Sequence, residues 1–170
     1  MKKLLKLFIV MIAFISAIII FNNFEQTGNK VKASAGDFVW LNNGDGTATI
    51  TDYIGVSDDV IIPNTLGGLT VTILDFESFK SKGLTSVVIP EGVTTIEYGT
   101  FNSNNLTKII FPESVTYIGG YSFFGNQLTS VVFPLSVGYI GTSSFSTNYI
   151  TQVTVENSAT DIRIDAFYDN

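Results

Sequence analysis

The side chains of this sequence that could carry chemistry are its carboxylates, because the 170-residue chain contains neither cysteine nor histidine. That composition excludes disulfides, thiolate nucleophiles, imidazole bases and the usual zinc ligands. Paired acids occur at Asp58-Asp59 and at Asp75 with Glu77, but a glycosidase needs two carboxyls facing each other across a cleft. The sequence also has no nucleophile elbow and no Ser-x-x-Lys motif. We therefore predict no catalytic residue, no cofactor and no enzyme activity.

A second place for chemistry is the segment "NNGDG", where Asn43 and Asp45 could belong to a calcium loop. Such a loop needs several carboxylates at fixed offsets, and this segment has a single aspartate. The Asn-Gly and Asp-Gly pairs are strong hairpin signals between the alternating segments "FVWL" and "TATITDYI". We predict a β-hairpin cap over residues 36–56, with Trp40 packed over the first repeat, and no metal site.

The N-terminus has the order of a secretory signal. Three lysines within the first six residues precede an apolar run over residues 7–21, and Ala33-Ser34-Ala35 supplies small residues for cleavage. We predict a signal peptide over residues 1–35 and a protein that is secreted or displayed at the cell surface. The alternative is an uncleaved anchor, which would be the only contact with a membrane, although the apolar run is short for a spanning helix.

The charge of the chain limits its partners. Residues 36–170 keep four basic residues against fourteen acidic ones, a net charge of −10 compared with −6 for the whole chain. A field of this sign repels nucleic acid. Four cations are too few to form a basic patch, so nucleic acid is excluded as a partner. These cations are Lys80, Lys82, Lys108 and Arg163.

A 22-residue period dominates the rest of the chain. Its aliphatic columns stay in phase over four units, and an earlier unit, from Val60 to Phe79, fits with a four-residue insertion near Gly67. The leading column is Leu84, Leu106, Leu128 and Ile150; the later ones include Val87, Ile109, Val131 and Val153, then Ile96, Ile118, Ile140 and Ile162. A period of this length predicts a solenoid, because one unit cannot bury its own apolar face.

Each unit predicts two short strands. The segment "LTSVVIP" alternates apolar with polar residues and ends in a proline that stops strand pairing, and "VTTI" is a second extended piece. Stacked units would pair each strand with its copies in a parallel sheet. We expect a phenylalanine column to form an internal ladder of rings and an asparagine column to form a ladder at the turn. These columns are Phe101, Phe123, Phe145 and Phe167, and Asn104, Asn126, Asn148 and Asn170.

The unit "LTSVVIP…VTTI…F" resembles the BspA-like leucine-rich repeat found in bacterial surface and secreted proteins, over residues 57–170. The resemblance implies a mostly β, curved leucine-rich-repeat solenoid of about five coils that binds proteins or cell surfaces without catalysis. The chain departs from the commoner pattern, since it lacks a cysteine near the end of each unit. In the last unit Glu156 replaces the proline and Asp161 and Asp165 appear, which indicates either a capping repeat or a piece of a longer array.

The candidate binding face consists of strand side chains that point away from the core. Its aliphatic members are unusual on an exposed surface and mark a candidate interaction site, although β-branched residues also simply favour strands. Tyr117 and Tyr139 form a short aromatic column in the second segment. The face comprises Ser86, Val88, Lys108, Ile110, Ser130, Val132, Gln152 and Thr154.

Two functions follow from this reading. The first is an exported, non-catalytic adhesion or recognition module that binds a protein or cell-surface ligand through the strand face. The second is a structural, self-assembling envelope component in which molecules associate end to end.

Overall fold

The computed structural model describes residues 33–158 and 160–170, and these residues are almost entirely β-structure. The predicted signal peptide lies mostly outside them. A short 3-10 turn, η1 at Ala35–Asp37, precedes twelve strands. The strands are β1 Phe38–Asn42, β2 Thr47–Tyr53, β3 Asp59–Ile61, β4 Thr65–Leu66, β5 Leu69–Leu74, β6 Ser86–Val88, β7 Thr95–Ile96, β8 Tyr117–Ile118, β9 Ser130–Phe133, β10 Tyr139–Ile140, β11 Gln152–Val155 and β12 Asp161–Ile162.

The main sheet runs through the second segment of each unit, in the order β1-β2-β5-β7-β8-β10-β12. From β5 onward neighbouring strands are parallel, and equivalent residues pair, as Ile96 does with Ile118. Because these partners lie 22 residues apart, each sequence unit is one coil of a parallel solenoid. The predicted fold class of about five stacked coils is confirmed.

The leading segments pair less continuously than the sequence predicted. Strand β3 pairs with β6, and β9 pairs with β11, each in parallel. Residues 106–112, between these two pairs, form no strand. Their side chains still alternate, with Ile109 and Phe111 buried and Ile110 exposed. The inward columns therefore stay in register in this segment, and the same coil is paired on both sides through β8 in the main sheet.

The N-terminal hairpin consists of β1 and β2, which pair antiparallel and join the main sheet through β2 and β5. Its turn is held by side chains, since Asp45 accepts hydrogen bonds from the Thr47 backbone N–H at 3.0 Å and from the Thr47 hydroxyl at 2.6 Å. These bonds lower the pKa of Asp45, with the hydroxyl contributing most. The carboxylate expected as a possible calcium ligand thus stabilises the turn. The Trp40 ring lies against Gly67, where a Cβ atom would approach it to 2.6 Å.

The core contains a continuous ladder of stacked phenylalanine rings. The centroid of Phe101 lies 5.0 Å from Phe79 and 5.2 Å from Phe123, and Phe145 continues the stack 5.1 Å beyond Phe123. All four rings are fully buried. Phe167 adds a fifth ring 5.5 Å from Phe145, and it is only partly buried.

A ladder of buried asparagine side chains runs beside the rings. The Asn126 Oδ1 accepts a hydrogen bond from the Leu106 N–H at 3.1 Å. Its Nδ2 donates to the carbonyls of Phe101 and Phe123 at 3.0 and 3.1 Å. Asn104, Asn148 and Asn170 repeat this pattern. Each asparagine therefore joins its own coil to the preceding one.

At the turn that contains each asparagine, the residue just before the asparagine adopts the left-handed backbone conformation. Ser103, Gly125, Thr147 and Asp169 have φ angles of 56°, 66°, 56° and 57°. We expected the asparagines at the turn both because they tolerate this conformation and because their side chains hydrogen-bond neighbouring backbone. The left-handed residue is the one before each asparagine, whereas the side-chain amide bonds backbone groups of its own coil and of the preceding one.

Candidate functional site

The eight predicted face residues all point away from the core. Five are exposed, and Ser86, Val88 and Thr154 are partly exposed. Strand pairing places Ser86 in register with Asp59, and places Ser130 and Val132 in register with Gln152 and Thr154. Lys108 and Ile110 lie in the segment between them that forms no strand. The structure therefore brings these residues together on one surface, which we call the strand-face strip.

The centre of the strand-face strip is apolar. Ile110 and Val132, in successive coils, are 49% and 55% exposed. Burying exposed aliphatic surface against a partner is favourable at roughly 25 cal/mol per Å². In the strip, an exposed aliphatic column therefore lies beside a polar one.

Lys108 is the cation of this strip. The other three basic residues of the described chain form ion pairs: Lys80 with Glu77 at 2.6 Å, Lys82 with Asp52 at 2.9 Å, and Arg163 with Asp161 at 2.9 Å. Lys108 has no such partner among the described residues and is exposed. Its charge is thus available to an acidic group on a partner.

A second exposed feature is an aromatic strip made of Phe76, Tyr98, Tyr121 and Phe124. The rings of Phe76 and Tyr98 stack with centroids 5.6 Å apart, Tyr121 lies 5.4 Å from Tyr98, and Phe124 lies 5.5 Å from Tyr121. Sequence reasoning missed Phe76, although it lies one period before Tyr98. That spacing was the signal that could have found it.

The third ring of the aromatic strip comes from a different repeat position than the first two. One period after Tyr98 comes Gly120, so the third ring is supplied by Tyr121, whose φ is 56°. A Cβ atom at Gly120 would lie 3.0 Å from the Thr142 carbonyl oxygen and 3.5 Å from the Tyr98 ring. The glycine thus leaves room for the Tyr121 ring to lie next to Tyr98, tilted by 43°.

The tyrosine column of the main sheet forms a third surface feature. The Tyr117 and Tyr139 rings stack in parallel with centroids 4.8 Å apart, and the Arg163 guanidinium lies 5.3 Å from the Tyr139 ring centroid. Burial raises the pKa of Tyr117, with smaller contributions from Tyr139 and Glu97. This column packs coil on coil, and it leaves the two rings only partly exposed.

Two of the carboxylates singled out in the sequence take part in local contacts. Glu77 is paired with Lys80, and an Asp75 oxygen accepts the Phe76 backbone N–H at 2.8 Å. In the described ranges no group of three or more acidic, histidine or cysteine side chains could hold a metal ion. No helix there is long and apolar enough to cross a membrane.

Comparison with known proteins agrees with this architecture. Residues 59–170 match the model of the BspA type leucine rich repeat region (6 copies). The match covers more than half of the chain, which therefore belongs to the BspA-type leucine-rich repeat family, and the resemblance seen in the sequence is confirmed. A search of curated proteins finds no match. Members of the family are generally binding modules of bacterial surfaces, and such solenoids are typically not catalytic.

Two crystal structures are similar to the chain. One is a leucine rich repeat protein of T. pallidum, with 18% identity over 74% of this chain and 84% of that one, and a TM-score of 0.43. The other is a leucine-rich repeat protein from Bacteroides ovatus, with 16% identity over 85% of this chain and a TM-score of 0.50. This chain spans 50% of the B. ovatus protein. That second likeness supports the fold alone.

Proposed function

We propose that the chain is an exported, non-catalytic adhesion module that binds a protein partner through the strand-face strip. The observation that carries this proposal is the exposure of Ile110 and Val132 in successive coils, on a surface whose inward neighbours are buried. The N-terminal order of lysines, apolar residues and small residues supports export.

The charge of the molecule favours a particular partner chemistry. Residues 33–170 carry the same four basic and fourteen acidic residues, so a partner with net positive charge is steered toward the protein. The strip itself is locally different, since it combines an apolar centre with Lys108. The complementary patch is therefore apolar with a carboxylate beside it, on a protein that is basic overall.

Substitution within the strip tests the proposal. Ile110→Lys and Val132→Lys each place a charge in the apolar centre, and both side chains are exposed, so the fold is expected to tolerate them. Binding of the purified chain to cell-surface and matrix proteins should fall by about tenfold or more for each variant. Leu135→Lys is the matched control, because Leu135, in the same coil as Val132, is similarly exposed (62% against 55%) but lies outside the strip. Equal binding by all three variants and the unsubstituted chain would remove the strip from consideration.

End-to-end self-assembly is the second candidate function, and one observation favours it. In the last coil, inward-column residues remain exposed, with Val153 at 40% and Ile162 at 45%. Their equivalents Val131 and Ile140 are buried. Either a second copy or further coils of a longer chain would cover this surface, and repeated head-to-tail association would produce a filament.

Sedimentation velocity over a range of concentrations distinguishes the two functions. A structural component is expected to form larger species as concentration rises, and Ile162→Asp should suppress them. An adhesion module remains monomeric over the same range. A monomer at every concentration would contradict the assembly function and leave the adhesion function standing.

A further inference from the structure

A groove separate from the strand-face strip follows the corner of the solenoid where each coil passes to the next. Its volume is about 430 Å³, and the buried asparagine ladder forms its floor. One wall carries Asn105, Gln127 and Tyr149, which occupy the same repeat position in successive coils. The opposite wall carries Gly125, Thr147 and Asp169, again one repeat position. We call this feature the amide groove.

The walls of the amide groove present groups that hydrogen-bond without carrying positive charge. The Gln127 Nε2 donates to the Asn105 Oδ1 at 3.2 Å, which orients both amides along the wall. The Gln127 Oε1 has no hydrogen-bond donor among the described residues. Across the groove the Thr147 hydroxyl donates to the Asp169 Oδ2 at 3.3 Å. Amides, a hydroxyl and a carboxylate together match a ligand rich in hydroxyl groups.

Tyr149 adds an aromatic surface to this polar wall. Its side chain is 67% exposed and makes no ring contact within the described chain. An aromatic ring free on its face packs against the C–H face of a sugar ring, while its hydroxyl bonds to the polar edge. At the first position of the opposite wall, Gly125 has no side chain, and the atoms nearest to a Cβ placed there belong to Ser103, at 3.8 Å or more. The groove is therefore open between Thr147 and the preceding coil.

From these features we propose that the amide groove binds a neutral, unbranched glycan. Equivalent rings in neighbouring coils lie 5.1 to 5.5 Å apart in this part of the solenoid, a spacing close to the length of one sugar ring. Successive sugars of a linear chain laid along the groove would thus meet the same wall position in successive coils. Repetition of weak contacts in this way favours an oligosaccharide over a single sugar.

The lining of the groove disfavours other ligand classes. Asp169 is the only charged residue in it, so phosphates and acidic glycans are repelled. An apolar peptide finds little to bury, because Tyr149 is the only large apolar surface there. The proposal does not depend on the strand-face strip, which lies on the following residues of each coil.

Binding of the full chain to a glycan array, followed by calorimetry with cello- and chito-oligosaccharides, tests the proposal. We expect neutral linear glycans to bind, and affinity to rise from the monosaccharide to longer oligomers. Tyr149→Ala and Gln127→Ala should each weaken binding by about tenfold or more. Tyr168→Ala is the matched control, because Tyr168 is 68% exposed at the same end of the solenoid but does not line the groove. It should bind as the unsubstituted chain does.

Melting curves of each variant show that the fold is intact, and Tyr149→Phe, which keeps the ring, should retain most of the affinity. Ile110→Lys should leave glycan binding unchanged, which separates this site from the strand-face strip. Absence of binding across the array would overturn the proposal. Equal affinity of Tyr149→Ala and the unsubstituted chain would overturn it as well.

Discussion

The middle coils and the last coil of this solenoid carry the same sequence columns in different surroundings. Phe123 lies between two stacked rings and is fully buried, whereas Phe167, at the same repeat position, has a ring on one side and is partly exposed. Asn126 and Asn170 make equivalent hydrogen bonds, but those of Asn170 are partly exposed to water.

The difference shows that residues at the same repeat position do not contribute equally to the free energy of unfolding. Stabilisation in a solenoid is the sum of what each coil contributes alone and what it gains from neighbours on both sides. A middle coil has both neighbours and the last coil has one in the described structure. The same substitution made at equivalent positions in a middle coil and in the last coil therefore measures how much stability the second neighbouring coil contributes.

The largest expected effect is at the phenylalanine ladder. Phe123→Ala removes a fully buried ring and both of its stacking contacts, so the free energy of unfolding should fall by about 3–5 kcal/mol. Phe167→Ala should cost only about 1–2 kcal/mol, since a half-buried ring has less apolar surface to lose. Urea unfolding followed by circular dichroism gives both values. Equal losses for the two variants would contradict the stacked-coil account.

In the asparagine ladder too, a substitution in a middle coil should destabilise the protein more than the same substitution in the last coil, but the difference should be smaller. Asn126→Ala leaves the Leu106 N–H buried without this partner and removes one of the two amide donors to each of the Phe101 and Phe123 carbonyls, at a cost of about 2–4 kcal/mol. Asn170→Ala should cost about 1 kcal/mol, because water can replace its bonds. Asn105→Ala is the control, as this neighbouring amide is exposed and its loss should change stability by less than about 0.5 kcal/mol. The same unfolding measurement compares all three.

Arg163 stabilises the last coil from outside the core. It pairs with Asp161 and lies over the Tyr139 ring of the preceding coil. Arg163→Ala should lower the free energy of unfolding by about 0.5–1 kcal/mol, because both interactions are exposed to solvent. Added salt should reduce the ion-pair part of this difference and leave the ring contact. If Arg163→Ala lowered the free energy of unfolding as much as Phe123→Ala does, the stability of the last coil would depend on these surface contacts more than on its core.

The smallest effect on the free energy of unfolding is expected when alkaline pH ionises Tyr117. In the last coil the equivalent repeat position is occupied by Asp161. Burial raises the pKa of Tyr117, so the folded protein keeps the phenol proton to higher pH than the unfolded chain, which loses it near pH 10. Through this group the unfolding free energy should therefore not change below that pH, and it should fall as pH rises through about 10. Tyr117→Phe should make this fall shallower. Some of it should remain, because burial also raises the pKa of Tyr53.

Much of the solenoid could be predicted from the sequence, because the repeat units align in only one way. A shift of the alignment by one residue would have put polar residues into most of the apolar columns. Val87, Ile109 and Val131 recur at one repeat position, and all three are buried. The pattern of exposure on Ile110 and Val132 follows from the same alternation. What the columns do not specify is backbone pairing, so the absence of a strand at residues 106–112 was not foreseen.

The two surface strips and the amide groove differ in how far the sequence indicated them. The strand-face strip follows directly from side-chain alternation within each coil. The aromatic strip depends on Tyr121 replacing the position of Gly120, a switch between columns that periodic alignment hides. The amide groove requires knowing that the asparagines point inward, so that the residues on either side of them become its walls.

The direction of the asparagine side chains has a consequence for how the protein forms. Each amide bonds to carbonyl and N–H groups 20 to 25 residues earlier in the chain, never later. Every new coil therefore closes a loop of the same length, whatever number of coils precedes it, and the entropy of closure does not grow with the array. Coils can therefore be added one after another from the N-terminus, each at a similar entropic cost.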